Sequence, residues 1–357
     1  MNNVFFLLLR RGIGVSKEVV LPRPIDWAKI YDVATQQGLS SVILDGIEKL
    51  PEQQRPEKSV FLQWIGGAFS EESQYNVQWK SACELALLLK HKGIRTYVLK
   101  GNVVSECYPV PKHRRSMDLD CFLLPEMGLE DVWEKSNEII EHAGFIVKRD
   151  YYKNSTWFLP GLVVENHRWL TPFRGNKRLM ELEELLQRLF REESVSFVFE
   201  SSYLYRPPVM VSALFLIEHA YSHFLHEGLT WRHVLDWMMF SRKHQEKINW
   251  TQLDKWIDEF GFRKFYDSYM TLGKFLLGEV EEDNLSDKDR MMLADIWAPL
   301  DFHETTHGVK GKLALVGNTW RARWKYKSFS SLSMIQALWI QVKGYLFDKN
   351  PRLVAYP

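Results

Sequence analysis

An apolar strand that breaks at a glycine, followed by a second apolar strand opening on two aspartates, constrains this chain more than any other stretch. The first strand is Thr96-Tyr-Val-Leu-Lys-Gly101, and the second lies in Arg114-Arg-Ser-Met-Asp118-Leu-Asp120-Cys-Phe-Leu-Leu124. Side chains at i and i+2 of a strand share a face, so Asp118 and Asp120 are expected side by side. Two carboxylates so placed repel, and burying them is costly unless positive charge lies between them. A divalent cation meets that need, and an oxygen-only set suits Mg²⁺ or Mn²⁺. A third acid comes later, in Gly161-Leu-Val-Val-Glu165-Asn-His167-Arg-Trp169. There, alternation sets His167 beside Glu165 and turns Arg168 to the opposite face.

A glycine turn, an Asp-x-Asp strand and a later strand with one more acid resemble the layout of the polymerase-beta-type nucleotidyltransferases. Leu99-Lys-Gly101, Tyr108-Pro109, Arg114-x-x-x-Asp118-Leu-Asp120 and Glu165-x-His167 are similar to one branch of that superfamily. That branch is a large, mostly uncharacterised bacterial family with a Leu-Lys-Gly, Arg-x-x-x-Asp-h-Asp signature (h, apolar). The resemblance implies that Asp118, Asp120 and Glu165 are the catalytic acids and hold Mg²⁺ or Mn²⁺. It also implies that Lys100, Gly101, Asn102, Arg114 and His167 meet the nucleotide. Gly101 opens a short helix whose amides suit phosphate, and a bidentate arginine at Arg114 suits a triphosphate. Much of the superfamily carries Gly-Ser or Gly-Gly at the turn. Here Gly101-Asn102 removes the hydroxyl, and Lys100 is the substitute that the branch pattern implies. The implied activity is metal-dependent transfer of a nucleoside monophosphate from an NTP to a hydroxyl acceptor: a small molecule, sugar, protein or RNA end. The alternative is an inactive nucleotide-binding or interaction protein on the same fold.

The 357-residue length suggests about two domains. The expected class is α+β, a small mixed sheet with flanking helices and then an all-α region. Its divisions are expected at 1–93 (N-terminal helical layer), 94–207 (nucleotidyltransferase core) and 208–357 (helical domain). Helical periodicity covers about 26–50 and 59–92, with Gly93 as a C-cap. Strands are expected at 94–99, 119–124, 145–152, 156–159 and 162–169, with one helix at 126–142 between them. Pro160-Gly161 reads as a hairpin turn, and the residues from 349 on as a loose tail. Lys and Arg total 46 against 45 Asp and Glu, so no basic excess points to duplex DNA, and nucleic acid is not indicated as a partner. Cys83, Cys107 and Cys121 make no disulfide framework or Cys-x-x-Cys pair, which fits a reducing cytoplasm. The apolar run Val4–Leu9 is too short to span a membrane and is followed, not preceded, by Arg10-Arg11, so it reads as a packed first helix.

Three further patterns carry chemistry. His219, His223 and His226 share one helix face, read first as a polar wall of the cleft, with zinc as the alternative. Arg232 and Asp236 stand at i, i+4 and read as a helical ion pair. Trp320-Arg-Ala-Arg-Trp-Lys-Tyr-Lys327 interleaves aromatic and basic residues, as a single-strand clamp would, and reads first as a surface helix with snorkelling cations.

Overall fold

In a computed structural model of the chain, residues 2–16, 20–126, 131–149, 152–173, 175–192, 203–298, 320 and 322–347 are described. Four helices lead in: α1 (Asn2–Gly12), α2 (Trp27–Gln36), α3 (Ser40–Glu48) and the long α4 (Lys58–Lys90). The pattern that predicts one helix over 26–50 is split by Gly38, whose φ of +68° turns the chain between α2 and α3. Helices α1 and α3 cross at glycines. A Cβ on Gly46 would stand 2.0 Å from the Leu8 carbonyl oxygen, and one on Gly12 2.1 Å from that of Val42.

The sheet follows: β1 (Ile94–Val98), α5 (Asn102–Ser105), β2 (Leu119–Pro125), α6 (Val132–His142), β3 (Ile146–Lys148), β4 (Asn154–Leu159) and β5 (Leu162–His167). Then come α7 (Lys177–Glu192) and β6 (Leu204–Tyr205). Strand order is β3-β4-β5-β2-β1-β6, with β2 parallel to β5 and antiparallel to β1. The turn at Gly161 joins β4 to β5 as an antiparallel hairpin with Leu159 opposite Leu162. Two elements were not expected. Helix α7 buries Leu182, Leu185, Leu186 and Phe190 at three- and four-residue spacing, and its Glu183 carboxylate accepts the Leu170 and Thr171 backbone N–H groups at 3.2 and 2.7 Å. Strand β6 closes the sheet edge beside β1. Strand β3 is shorter than the expected 145–152, of which 150 and 151 lie outside the described residues, and α6 starts at Val132, after 127–130, which also lie outside them. The C-terminal region is helical: α8 (Val209–His226), α9 (Trp231–Lys243), α10 (Trp250–Glu259), α11 (Arg263–Leu277), α12 (Asp287–Trp297), α13 (Arg323–Phe329) and α14 (Met334–Phe347). The expected tail lies outside the described residues. Among the described residues no helix is long and apolar enough to cross a membrane.

Strand alternation sorts the sheet into two faces. Ile94, Val98, Leu119, Cys121, Leu123, Leu162 and Val164 pack with Ala82, Leu85, Ala86 and Leu89 of α4 and with Val132 and Ile140 of α6. On this face Asn137 Oδ1 accepts from Ser155 Oγ at 2.6 Å and from Trp157 Nε1 at 2.7 Å, while Asn166 Nδ2 donates to Ser136 Oγ at 3.1 Å. Tyr97, Leu99 and Phe122 join the larger core formed by α1, α3, α8, α9 and α11. The same alternation therefore turns Asp120, Glu165 and His167 toward the C-terminal helices.

His113 ties the approach to β2 onto the N-terminal helices. Its Nδ1 lies 2.9 Å from Asp45 Oδ1 of α3, and its Nε2 lies 2.9 Å from Glu72 Oε1 of α4. Burial works against the imidazolium, yet the two carboxylates outweigh it and raise its pKa. A pKa raised on folding stabilises fully below the free-imidazole value of about 6.5 and loses that contribution as pH climbs through the folded value. His113→Gln should therefore lower the thermal unfolding midpoint most in mildly acidic buffer. In mildly alkaline buffer the gap to the native protein should close; thermal melts across that range are the check.

Candidate active site

Parallel pairing of β2 and β5 sets Asp120 directly beside Glu165. Asp120 is 1% exposed, so its charge must be balanced locally. Lys100, at the end of the first strand segment, puts its Nζ 3.0 Å from Asp120 Oδ2. His167 Nε2 lies 3.0 Å from Asp120 Oδ1 and 3.7 Å from Glu165 Oε2. Burial opposes ionisation of Asp120, but Lys100 and the His167 hydrogen bond hold its carboxyl well below the ordinary range. Both cations are correspondingly raised against burial, Lys100 by Asp120, Asp118 and Glu165, and His167 by hydrogen bonds to Asp120 and Glu165. Asp118 stands one step back, on the cleft wall with Lys100 and Gly101. Burial and the neighbouring Asp120 charge push its pKa up. Among the described residues the tight acid–imidazole group, with ligand atoms within 4.8 Å of one another, is Asp120, Glu165 and His167. His167, not Asp118, completes that triangle.

Beside the acids the chain turns at Gly101, with φ +65° and ψ −109°, a conformation open only to glycine. A Cβ there would meet Ser116 Oγ at 2.8 Å, and that hydroxyl donates to the Asp118 carbonyl at 3.0 Å. Asn102 follows, 2% exposed, with its Nδ2 unpartnered. Helix α5 is one turn long.

The far wall of the cleft is built by α8, α9 and α11, through Leu216, His219, Ala220, Arg232, His233, Asp236 and Tyr269. Here the expected helical pair between Arg232 and Asp236 gives way to a long-range one. Asp236 takes Arg114 as a bidentate partner, with Nε at 3.0 Å and Nη2 at 2.6 Å, and accepts from the Tyr108 hydroxyl at 2.7 Å. Arg114 lines the cleft, but the edge expected to meet phosphate is bound to Asp236, and its Nη1 donates to the Arg115 carbonyl at 3.1 Å. Arg232 donates to that same carbonyl at 2.8 Å and, among the described residues, makes no ion pair. The histidine cluster also differs from the helix-face reading. Its members are His219, His223 and His233, the last from α9, and His226 is not among them. His233 Nδ1 accepts the Thr230 backbone N–H at 3.1 Å as part of the α9 capping box. The aromatic–basic run is partly turned inward. Lys325 is buried, donating to the Phe224 carbonyl at 2.8 Å and pairing with Asp295 at 2.7 Å, and Tyr326 is buried with it.

A profile described as uncharacterised nucleotidyltransferase matches residues 23–278, well over half of the 357-residue chain. The chain belongs to that family. No curated protein and no solved structure matches it. The matched span runs from just before α2 to just past α11. It thus takes in α2 to α4, the acid-bearing strands and the helical wall of the cleft together. Membership of the uncharacterised nucleotidyltransferase family supports nucleotidyl transfer as the general class of activity and implies an NTP substrate.

Removing one partner of a buried ion pair leaves the other charge uncompensated, at a cost of about 3–5 kcal/mol. Arg114→Met should show that loss in urea unfolding, because Asp236 would remain buried. Replacing the group together, as Arg114→Met, Asp236→Leu and Tyr108→Phe, should recover most of it.

Proposed function

We propose that this protein is a divalent-metal-dependent nucleotidyltransferase that moves a nucleoside monophosphate from an NTP onto a hydroxyl acceptor. The observation that carries the reading is the direct cross-strand pairing of Asp120 with Glu165, on the cleft face, with Asp118 and the Gly101 turn beside them. The donor set offers hard oxygens: Asp120 and Glu165 are cross-strand neighbours, with Asp118 one step back on the cleft wall. A bound cation would take over the charge balance that Lys100 and His167 supply at Asp120. Asp118, Asp120 and Glu165 would hold Mg²⁺ or Mn²⁺, which when bound would neutralise phosphate charge and acidify the attacking hydroxyl.

The chain's own groups do the rest. The Glu165 side chain, 36% exposed, is the carboxylate open to an incoming acceptor and takes its proton. The acceptor oxygen bonds to the α-phosphorus as the bond from that phosphorus to the bridging oxygen breaks, and pyrophosphate leaves with the electron pair. His167 holds the Asp120 carboxylate in one orientation through its 3.0 Å contact. Gly101, free of a side chain, lets the backbone approach the phosphates, and the buried Asn102 amide supplies a donor where a hydroxyl is absent. Lys100, raised and cationic, offsets the negative charge of acids and phosphates alike. The helical wall keeps water from the α-phosphorus.

The test is pyrophosphate release from each NTP with Mg²⁺ or Mn²⁺ and a mixture of hydroxyl-bearing metabolites; no release in any combination would overturn the reading. Asp118→Asn, Asp120→Asn and Glu165→Gln should each bring release to background. Their stabilities should divide. Asp118→Asn removes a carboxylate whose ionised form is disfavoured, so its unfolding midpoint should equal or exceed that of the native protein. Asp120→Asn strips Lys100 and His167 of their partner, so its midpoint should fall. A crowded acid pair read from sequence alone would predict relief in both.

A further inference from the structure

We infer that Arg232 and His233, in the first turn of α9, form the docking site for the far end of the polyphosphate tail. The inference rests on the nucleotidyltransferase reading and deepens it by naming where the substrate's terminal phosphate lies. It starts from how the charged groups of the cleft are engaged. One wall carries Asp118 and, behind it, Asp120 and Glu165; the other carries Arg232, His233 and His219. On the acid wall Lys100 and His167 both engage Asp120. On the helical wall Asp236 is engaged by Arg114 and Tyr108, so among the described residues Arg232 hydrogen-bonds to no carboxylate, and Asp236 and Asp118 act on it only through space. Among the described residues its one side-chain hydrogen bond reaches the Arg115 carbonyl through Nη1, which leaves its other guanidinium donors for a ligand.

An enclosed guanidinium with no hydrogen-bonded anion is costly until one arrives. Burial and the adjacent Arg114 charge weigh against the cationic form of Arg232 and outweigh the favourable pull of Asp236, Tyr108 and Asp118. The histidines report the same field. His233 and His219 are held neutral, chiefly by burial, then by neighbouring imidazoles and by cations that include Lys100. Because His233 Nδ1 accepts the Thr230 N–H, its Nε2 carries the hydrogen and is a donor. An arginine fork beside a neutral N–H donor is the chemistry that recognises phosphate oxygens. Gly101 and Lys100 share this cleft with Arg232. A chain of phosphates can therefore begin at the acids, pass the glycine turn and end on α9. The occupant is a di- or triphosphate moiety, free or carried by a nucleoside.

The experiment measures binding of inorganic tripolyphosphate to the full chain in the presence of Mn²⁺ by calorimetry, alongside binding of Mn²⁺ alone. Native protein should bind both. Arg232→Met should weaken tripolyphosphate by about tenfold or more, leave Mn²⁺ binding unchanged, and melt no lower than the native protein without ligand. Arg232→Lys keeps a point charge without the fork and should fall between the two. Should Arg232→Met fail to fold, His233→Phe and Arg232→Lys carry the same comparison. Equal tripolyphosphate affinity in native protein and variants would overturn this site while leaving the transferase reading standing. If the native protein binds Mn²⁺ yet no tripolyphosphate or NTP, the transferase reading itself fails and this site with it.

Discussion

Asp120 is the constraint around which the rest is arranged. It occupies a strand position whose neighbours Leu119 and Cys121 must fill a core, so alternation forces its carboxylate to the other face of a sheet buried on both sides. An ionised group in that setting persists only with cations at hand. The sheet supplies them from its two neighbours of β2: Lys100 just past β1, and His167 at the end of β5. The pairing order β5-β2-β1 is therefore also the order in which charge is balanced. Glu165 enters because β5 runs parallel to β2 in a register that sets it opposite Asp120.

What could be read beforehand were the features encoded over a few residues. The α+β class, the Gly101 turn, the strand that carries Asp120 and the Glu165 strand all rest on period-two alternation and on glycine, signals local to the segment, whereas Asp118, expected on the same strand, lies just before β2. Helix α7 was equally local. Leu182, Leu185, Leu186 and Phe190 keep helical spacing, but the strands on either side of the segment mask that signal. Other features had no local signal to read. Nothing in the sequence says that Asp236 would pass over Arg232, four residues before it, for Arg114, 122 residues away. Likewise His233 joins His219 and His223 only because α9 folds back on α8. Spacing on one helix pointed to His226 instead.

Helix α9 links the two walls of the cleft in different ways at successive turns. Asp236 faces the segment that leads into β2 and binds it through a buried arginine fork. One turn earlier Arg232 faces the open cleft and takes only a carbonyl. The first contact fixes where the helix stands relative to the acids, and the second leaves guanidinium donors facing the cleft. A single helix thus serves as brace and as wall.

The amide of Asn137, on the face away from the cleft, accepts from Ser155 and Trp157 of β4 and lies 3.5 Å from the Asn166 amide, whose chain neighbours are Glu165 and His167. A one-residue slip of β5 would turn Glu165 toward α6 and bring Asn166 into the cleft. Asn137 is thus the lock on strand phase, although it never comes near a substrate. In an unbiased mutational screen for lost activity it would score among the acids, and a map of hits drawn by distance from the cleft would miss the reason.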